Sequence, residues 1–230
     1  MCTRYSLHNL EVLKRALEKF GLKVPAELRA VYNATLSTRM PAVTKRRGAV
    51  ALEPLAFGAL LPPREPTGKP LLLANARGET LLARGAFKDA AQRRRCLVPA
   101  DGFYEWEKQG KVRLPHYFQL RAGEPFFLAG LWHPETPIAP PAFVVVTTTP
   151  NALLAPIHDR MPVILDEDRV DAWLGDEPLP PDRLAELCAP FPAAKMRSHR
   201  VSPQMNSPLC EGPACIALFT PPAPERELFD

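Results

Sequence analysis

Near the start of the chain, apolar residues fall at helical spacing. In "HNLEVLKRALEKF" (residues 8–20) Leu10, Leu13, Leu17 and Phe20 share one side, and Gly21 follows as a stop, so the pattern predicts an amphipathic helix over 8–20. Residues 31–50 mix polar, basic and proline positions and predict short strand and loop, and "PPREPTGKP" (62–70) predicts a loop. "LLLANARGET" (71–80) opens apolar and turns polar, which predicts a buried strand leading into a site, and "GAFKDAAQRRR" (85–95) suits a short helix. Runs of β-branched and aromatic residues predict strands at 117–120, 126–132, 143–149 and 161–165. Asp166 can cap a helix carrying Val170 and Trp173, and 183–188 suggests another. Strands dominate the middle without a βαβ rhythm. The expected fold class is therefore α+β, a mostly antiparallel, barrel-like β-sheet core with interspersed helices.

Neither a repeat nor a linker interrupts the 230 residues, so one domain is expected over 1–230, with 219–230, "FTPPAPERELFD", as a loosely held tail. Hydrophobic residues at 46% and charged residues at 23% suit a globular chain and argue against wholesale disorder. Five scattered cysteines form no CxxC pair, which predicts reduced thiols and no structural zinc; with no signal pattern and no long apolar run, the expected setting is cytoplasmic, away from membranes. A net charge of +4 is too weak to argue for nucleic acid by itself. Its clustering says more: Lys45-Arg46-Arg47, Arg93-Arg94-Arg95 and Arg197 with His199 and Arg200 make phosphate binding plausible, although each group alone reads as a solvated face.

Four short stretches could carry chemistry. Cys2 follows the initiator methionine; once Met1 is removed it would offer an α-amine with a pKa near ~8 and a thiol near ~8.5 on one residue, whereas a small buried apolar residue is the plain alternative. In "NARGET", an extended backbone points Asn75, Arg77 and Glu79 one way and leaves the other face nearly bare, suited to sugar or phosphate oxygens or, more plainly, to a solvated edge. "DGFYEW" puts Glu105 on the face of Phe103, where a carboxyl is pushed toward a higher pKa unless the strand is exposed. "IHDRMP" sets His158 between Asp159 and the preceding apolar run, either as a general acid or base or as a surface histidine.

In this order and at these separations, Cys2, "NARGET", "GFYEW" and "HDRMP" resemble the SOS response-associated peptidase family from Met1 to about Cys215. "YN" at Tyr32-Asn33, "RRCLVPADGFYEW", "VVVTTTPN" and "RVS" fit as well. Thr3 stands where the family has glycine, "YNATLST" lacks a proline, and "FGALLPP" lacks two tryptophans, leaving Phe57 as the candidate base-stacking ring.

The resemblance implies a monomer that senses and shields abasic sites in single-stranded DNA, replication-fork junctions included. The Cys2 amine would attack the open-chain aldehyde and the thiol would close a thiazolidine. His158 would assist ring opening, Glu105 would carry the amine proton and Asn75 would position the sugar or the Cys2 backbone. Arg77, with Arg4, Asn33 and Arg160, would hold the DNA. Reversal of the link by a lyase-type step belongs to the same expectation, and no metal or organic cofactor is required. Two alternatives stay open: a cysteine peptidase built on Cys2, His158 and Asn75, limited or autoproteolytic, and a noncatalytic single-strand binder.

Overall fold

Residues 2–63, 68–83, 85–175 and 177–220 are described here in a computed structural model. The elements in chain order are β1 (Tyr5–Leu7), α1 (Leu10–Glu18), β2 (Val31–Ala34), β3 (Arg39–Arg46), β4 (Ala49–Phe57), β5 (Ala59–Leu61), β6 (Leu71–Leu73), β7 (Asn75–Arg77), α2 (Gly85–Arg93), β8 (Arg95–Ala100), β9 (Gly102–Gln109), β10 (Val112–Leu120), β11 (Phe126–His133), β12 (Ala142–Thr148), β13 (Met161–Pro162), β14 (Ile164–Leu165), α3 (Glu167–Leu174), α4 (Pro181–Leu187) and β15 (Met196–Arg200).

Five strands close on themselves in the order β12, β4, β3, β8, β11 and back to β12. This ring is the expected barrel-like core, and β8 and β12 are buried along their whole length because side chains fill the ring inside and other elements cover it outside. A second sheet, β15–β10–β9–β1–β2, is antiparallel throughout. Among the described pairings, β12 makes the parallel ones. Its start pairs with β4, Phe143 beside Phe57, and from Val145 onward it pairs with β7, Val145 beside Asn75. The exchange needs a sharp bend, made at Gly58, whose φ of +94° favours glycine and whose N–H donates to the Phe143 carbonyl at 2.8 Å. The functional residues gather beside this seam.

Most predicted elements appear, with informative differences. The first helix starts at Leu10 because the Asn9 side chain caps it, accepting the Val12 N–H. Residues 39–46, expected as short strand and loop, form one long strand of the ring; Pro41 lies opposite Pro54, so both missing N–H donors fall on one rung of the ladder. The leucines of β6 do not form a buried strand. Leu71 is 54% exposed, because among the described residues β6 pairs only with β5, and it is β7 that pairs with β12 of the ring. The expected strand over 161–165 divides at Val163, where the chain passes from β12 to β11: Val163 donates to Val146 and accepts from Ala129, each at 2.9 Å. Asp166 caps α3 as expected, and the buried Trp173 donates to the Cys96 carbonyl at 3.0 Å. Of the loop over 62–70, residues 64–67 lie outside the described residues, as do 221–230 of the expected tail; Phe219 is tied to the Arg200 carbonyl at 2.9 Å.

Among the described residues, no helix is long and apolar enough to cross a membrane, and no group of three His, Cys, Asp or Glu side chains could hold a metal ion. The five cysteines are free thiols.

Candidate active site

β1 runs antiparallel to β9, with Tyr5 opposite Phe103 and the Tyr104 N–H donating to the Arg4 carbonyl at 3.1 Å. Continued two residues backwards, this register brings Thr3 to the level of Glu105. Cys2 therefore enters the core beside that carboxylate. Asn75, at the start of β7, reaches across the seam and donates from Nδ2 to the Cys2 carbonyl at 2.9 Å and to the Val145 carbonyl at 3.4 Å. Its Oδ1 is buried and accepts no hydrogen bond from the described residues. His158, in the loop after β12, brings Nε2 to 3.8 Å from Glu105 Oε2. Four residues from four separate stretches thus meet at one end of the barrel seam.

Burial sets the electrostatics. The Glu105 side chain is 2% exposed, and loss of water pushes its carboxyl up to about 7. The Cys2 thiol is pushed well above the ordinary thiol range, first by burial and then by the negative charge of Glu105. Burial lowers the pKa of His158, with Asp159 opposing. Two groups reach His158 Nδ1 at 3.0 Å: the Arg160 N–H, which needs a lone pair there, and Asp159 Oδ1, which needs a proton there. A ring whose pKa is depressed is neutral near pH 7, and the Arg160 N–H, whose hydrogen is fixed by the backbone and directed at Nδ1, requires the lone pair there. The neutral ring then carries its proton on Nε2, facing Glu105.

Several expected DNA contacts stand elsewhere. Phe57 is fully buried, stacked on Phe143 with centroids 5.3 Å apart and touched edge-on by Tyr5 at 5.4 Å, so it is a core ring and not a platform for a base. The Asn33 side chain is buried and donates to the Cys210 and Pro208 carbonyls. Arg4 donates to the carbonyls of Met205, Asn206 and Ser207 and lies over Trp106, which makes it a strut for the C-terminal segment. Arg160 forms a two-point pair with Glu79 at 2.7 and 2.9 Å and donates to the Thr147 carbonyl at 2.6 Å. Arg77 is exposed at the end of β7.

The basic groups are also partly structural. Arg95 is buried and caps the ends of α2 and α3 through the Ala91 and Trp173 carbonyls, while Arg46 pairs with Glu53 and lies over Trp132 at 3.9 Å. A groove of about 500 Å³ is lined by Thr3, Arg4, Trp106, Lys111, Arg113 and Asn206. Of these, Trp106, Lys111 and Arg113 are not singled out by sequence; the alternation in "GFYEW" hinted at Trp106 by placing it on the face opposite Glu105.

Residues 1–208 match the family described as SOS response associated peptidase (SRAP). Abasic site processing protein YoqW of Bacillus subtilis is 32% identical over 223 residues, covering 94% of the chain and 99% of the relative. Abasic site processing protein YoaM of the same organism is 31% identical over 217 residues, covering 90% and 94%. A crystal structure of a protein from Bacteroides thetaiotaomicron superposes with a TM-score of 0.76 at 22% identity, covering 95% of the chain and all of that protein, and thereby shares its fold.

Proposed function

Because the chain belongs to the SOS response associated peptidase family, we propose that it acts on abasic sites in single-stranded DNA and captures them covalently through Cys2. Relatives across nearly the whole length carry the name abasic site processing protein, which supports the substrate. The observation that carries the chemistry is the hydrogen bond from Asn75 Nδ2 to the Cys2 carbonyl. Anchoring the main chain of residue 2 orients an α-amine, and that amine exists as a nucleophile only once Met1 has been removed.

In the proposed reaction the neutral His158 ring donates a hydrogen bond from Nε2–H to the ring oxygen of the abasic sugar. That oxygen takes a proton from water as the ring opens, while the anomeric hydroxyl gives its own proton back to water, leaving the aldehyde. The Cys2 amine, having passed its proton to Glu105, adds to the aldehyde; loss of water gives an imine. The thiol then forms the C–S bond, its proton goes to the nitrogen, and the five-membered ring closes. This second addition is intramolecular, so proximity favours it strongly. A carboxyl with a pKa of about 7 suits the shuttle, because it takes and returns protons at nearly equal cost near neutral pH. Arg77, exposed beside the site, would hold a phosphate flanking the lesion, and the groove of Lys111, Arg113 and Trp106 offers a further basic and aromatic surface for the strand. Action as a cytoplasmic monomer, activity at fork junctions and reversal of the link form the finer part of this proposal.

A thiolate peptidase fits less well. Such an enzyme needs a depressed thiol pKa and a histidine on the sulfur. Here the thiol is pushed up, and His158 Nε2 faces Glu105.

The test is incubation of untagged protein with a single-stranded oligonucleotide carrying one abasic site, followed by a denaturing gel. A heat-resistant protein–DNA band is expected, and it should vanish in Cys2→Ala and in a chain whose N-terminal extension cannot be cleaved. A band that survives the blocked N-terminus sinks the thiazolidine; peptide cleavage with no band would favour the peptidase.

A further inference from the structure

Glu79 takes no part in the chemistry above, yet its carboxylate is the partner of Arg160, whose backbone N–H donates to His158. We propose that Glu79 is a positioning residue that fixes the ring tautomer of His158 through Arg160. The catalytic consequence rests on the function proposed above; the tautomer itself does not.

The contacts run in one direct line. β7 ends at Arg77 and turns at once into a 3-10 turn, Gly78–Thr80, which lifts Glu79 off the strand face and toward the loop after β12. Glu79 Oε1 and Oε2 accept from the two terminal nitrogens of Arg160 at 2.7 and 2.9 Å, a paired geometry that fixes the guanidinium plane. The same guanidinium donates to the Thr147 carbonyl at 2.6 Å and approaches Thr147 Oγ1 at 3.3 Å, so the side chain is anchored on β12 as well. An arginine held at its tip by three groups has little freedom at its backbone. That backbone N–H donates to His158 Nδ1 at 3.0 Å. The bond occupies the Nδ1 lone pair and leaves the proton on Nε2, 3.8 Å from Glu105 Oε2.

Stability alone does not account for the pair. Glu79 is 45% exposed and Arg160 11% exposed, and ion pairs with one solvated partner contribute little to folding. The geometry instead serves the loop. With Arg160 released, Asp159 Oδ1, also 3.0 Å from Nδ1, becomes the competing partner, and it favours a proton on Nδ1. Glu79 thus decides between two neighbours of one nitrogen.

The experiment reads the ring directly. Histidine labelled with ¹⁵N, in the full chain without DNA, reports the tautomer of His158 through long-range ¹H–¹⁵N correlations. Wild type is expected to show the Nε2–H form. Glu79→Gln keeps the size of the side chain but loses the charge, and it should move the tautomer ratio about fivefold toward Nδ1–H, the equivalent of the ~1 kcal/mol of one hydrogen bond. Its single-turnover cross-linking rate should fall in proportion to the Nε2–H population that is lost, a smaller change than that of the ratio, with single-strand affinity unchanged. Should the glutamine variant not fold, Glu79→Asp replaces it: its shorter reach predicts a smaller change of the same sign. An unchanged tautomer, or a changed tautomer with an unchanged rate, overturns the proposal. Absence of any cross-link in wild type would fall on the proposed function instead, and the ring measurement then decides this one by itself.

Discussion

Replacing Glu105 by glutamine should make the protein more stable above neutral pH while crippling its proposed reaction. The carboxyl is almost wholly removed from water, and burial raises its pKa from an ordinary 4.5 to about 7. A carboxyl that holds its proton more tightly in the folded than in the unfolded chain penalises folding once it must ionise. The fold is therefore free of this penalty below about pH 4, loses stability as the pH rises through 7, and carries the full cost above that. The gap between 4.5 and about 7, at about 1.4 kcal/mol per unit, sets the cost at roughly 3 kcal/mol, an upper figure because neighbouring charges relax. Glu105→Gln keeps the shape and removes the ionisation. Urea unfolding of both proteins at several values between about pH 4 and pH 8 should show near-equal stability at the acid end and a widening advantage for the variant toward the alkaline end. A difference that stays constant over that interval, or a variant less stable at about pH 8, would refute the view of Glu105 as a buried, proton-storing acid.

Other expectations follow from single contacts. Phe57→Ala should cost about 3–5 kcal/mol in thermal or urea unfolding, because the ring fills the barrel between Tyr5 and Phe143, yet single-strand affinity of the folded fraction should be unchanged. Arg77→Ala should weaken single-strand binding and lower the slope of log affinity against log salt by about 0.7, the signature of one lost phosphate contact. Asn75→Ala removes the anchor on the Cys2 carbonyl and should slow cross-linking on the order of tenfold, measured in single turnover, with little change in DNA affinity. Gly102→Ala should unfold the protein or shift its melting far downward, since a Cβ there would come within 2.3 Å of the Tyr117 ring, which is itself fixed by a 2.7 Å hydrogen bond to Ser6.

Cys2, Asn75, Glu105 and His158 stand in four motifs that each read alone as easily as a plain core or surface residue; only their joint order, which resembles the family, sets them together in the sequence, and the structure brings them to one place although β7, β9 and the loop after β12 meet only in space. Binding residues were harder to read. Arginine and phenylalanine serve a core and a surface equally, and the neighbours that decide between the two lie far along the chain: Phe57 is covered by residues 5 and 143, and Arg95 is taken up by carbonyls at 91 and 173. Strand lengths failed for a similar reason. β3 looks too polar and too proline-containing to be central until Pro54 is placed opposite Pro41, and β6 looks buried until β7 is seen to take its place in the ring.

The two pKa shifts at Cys2 and Glu105 also impose an order on the proposed steps. A buried thiol beside a carboxylate cannot supply thiolate first, since the two negative charges would share one pocket away from water. The amine has no such restraint: handing its proton to Glu105 removes two opposite charges together, and the neutral pair is what a dry site favours. Once Glu105 is protonated, the second of the two causes that hold the thiol pKa up is gone, while burial remains. The neutral imine that follows is an electrophile whose nitrogen can take the thiol proton as sulfur adds, so the thiol becomes reactive only after the aldehyde has been caught. Sulfur that is inert until that moment is shielded from stray electrophiles and oxidants. Glu105→Gln should therefore slow the amine step, because glutamine cannot take the proton, while raising the reactivity of the Cys2 thiol toward a small alkylating agent such as iodoacetamide, because the repelling charge is absent. Rapid-quench sampling with borohydride, which traps the imine, separates the two steps. A variant that accumulates imine and closes slowly, instead of forming imine slowly, would show that Glu105 serves the sulfur and not the nitrogen.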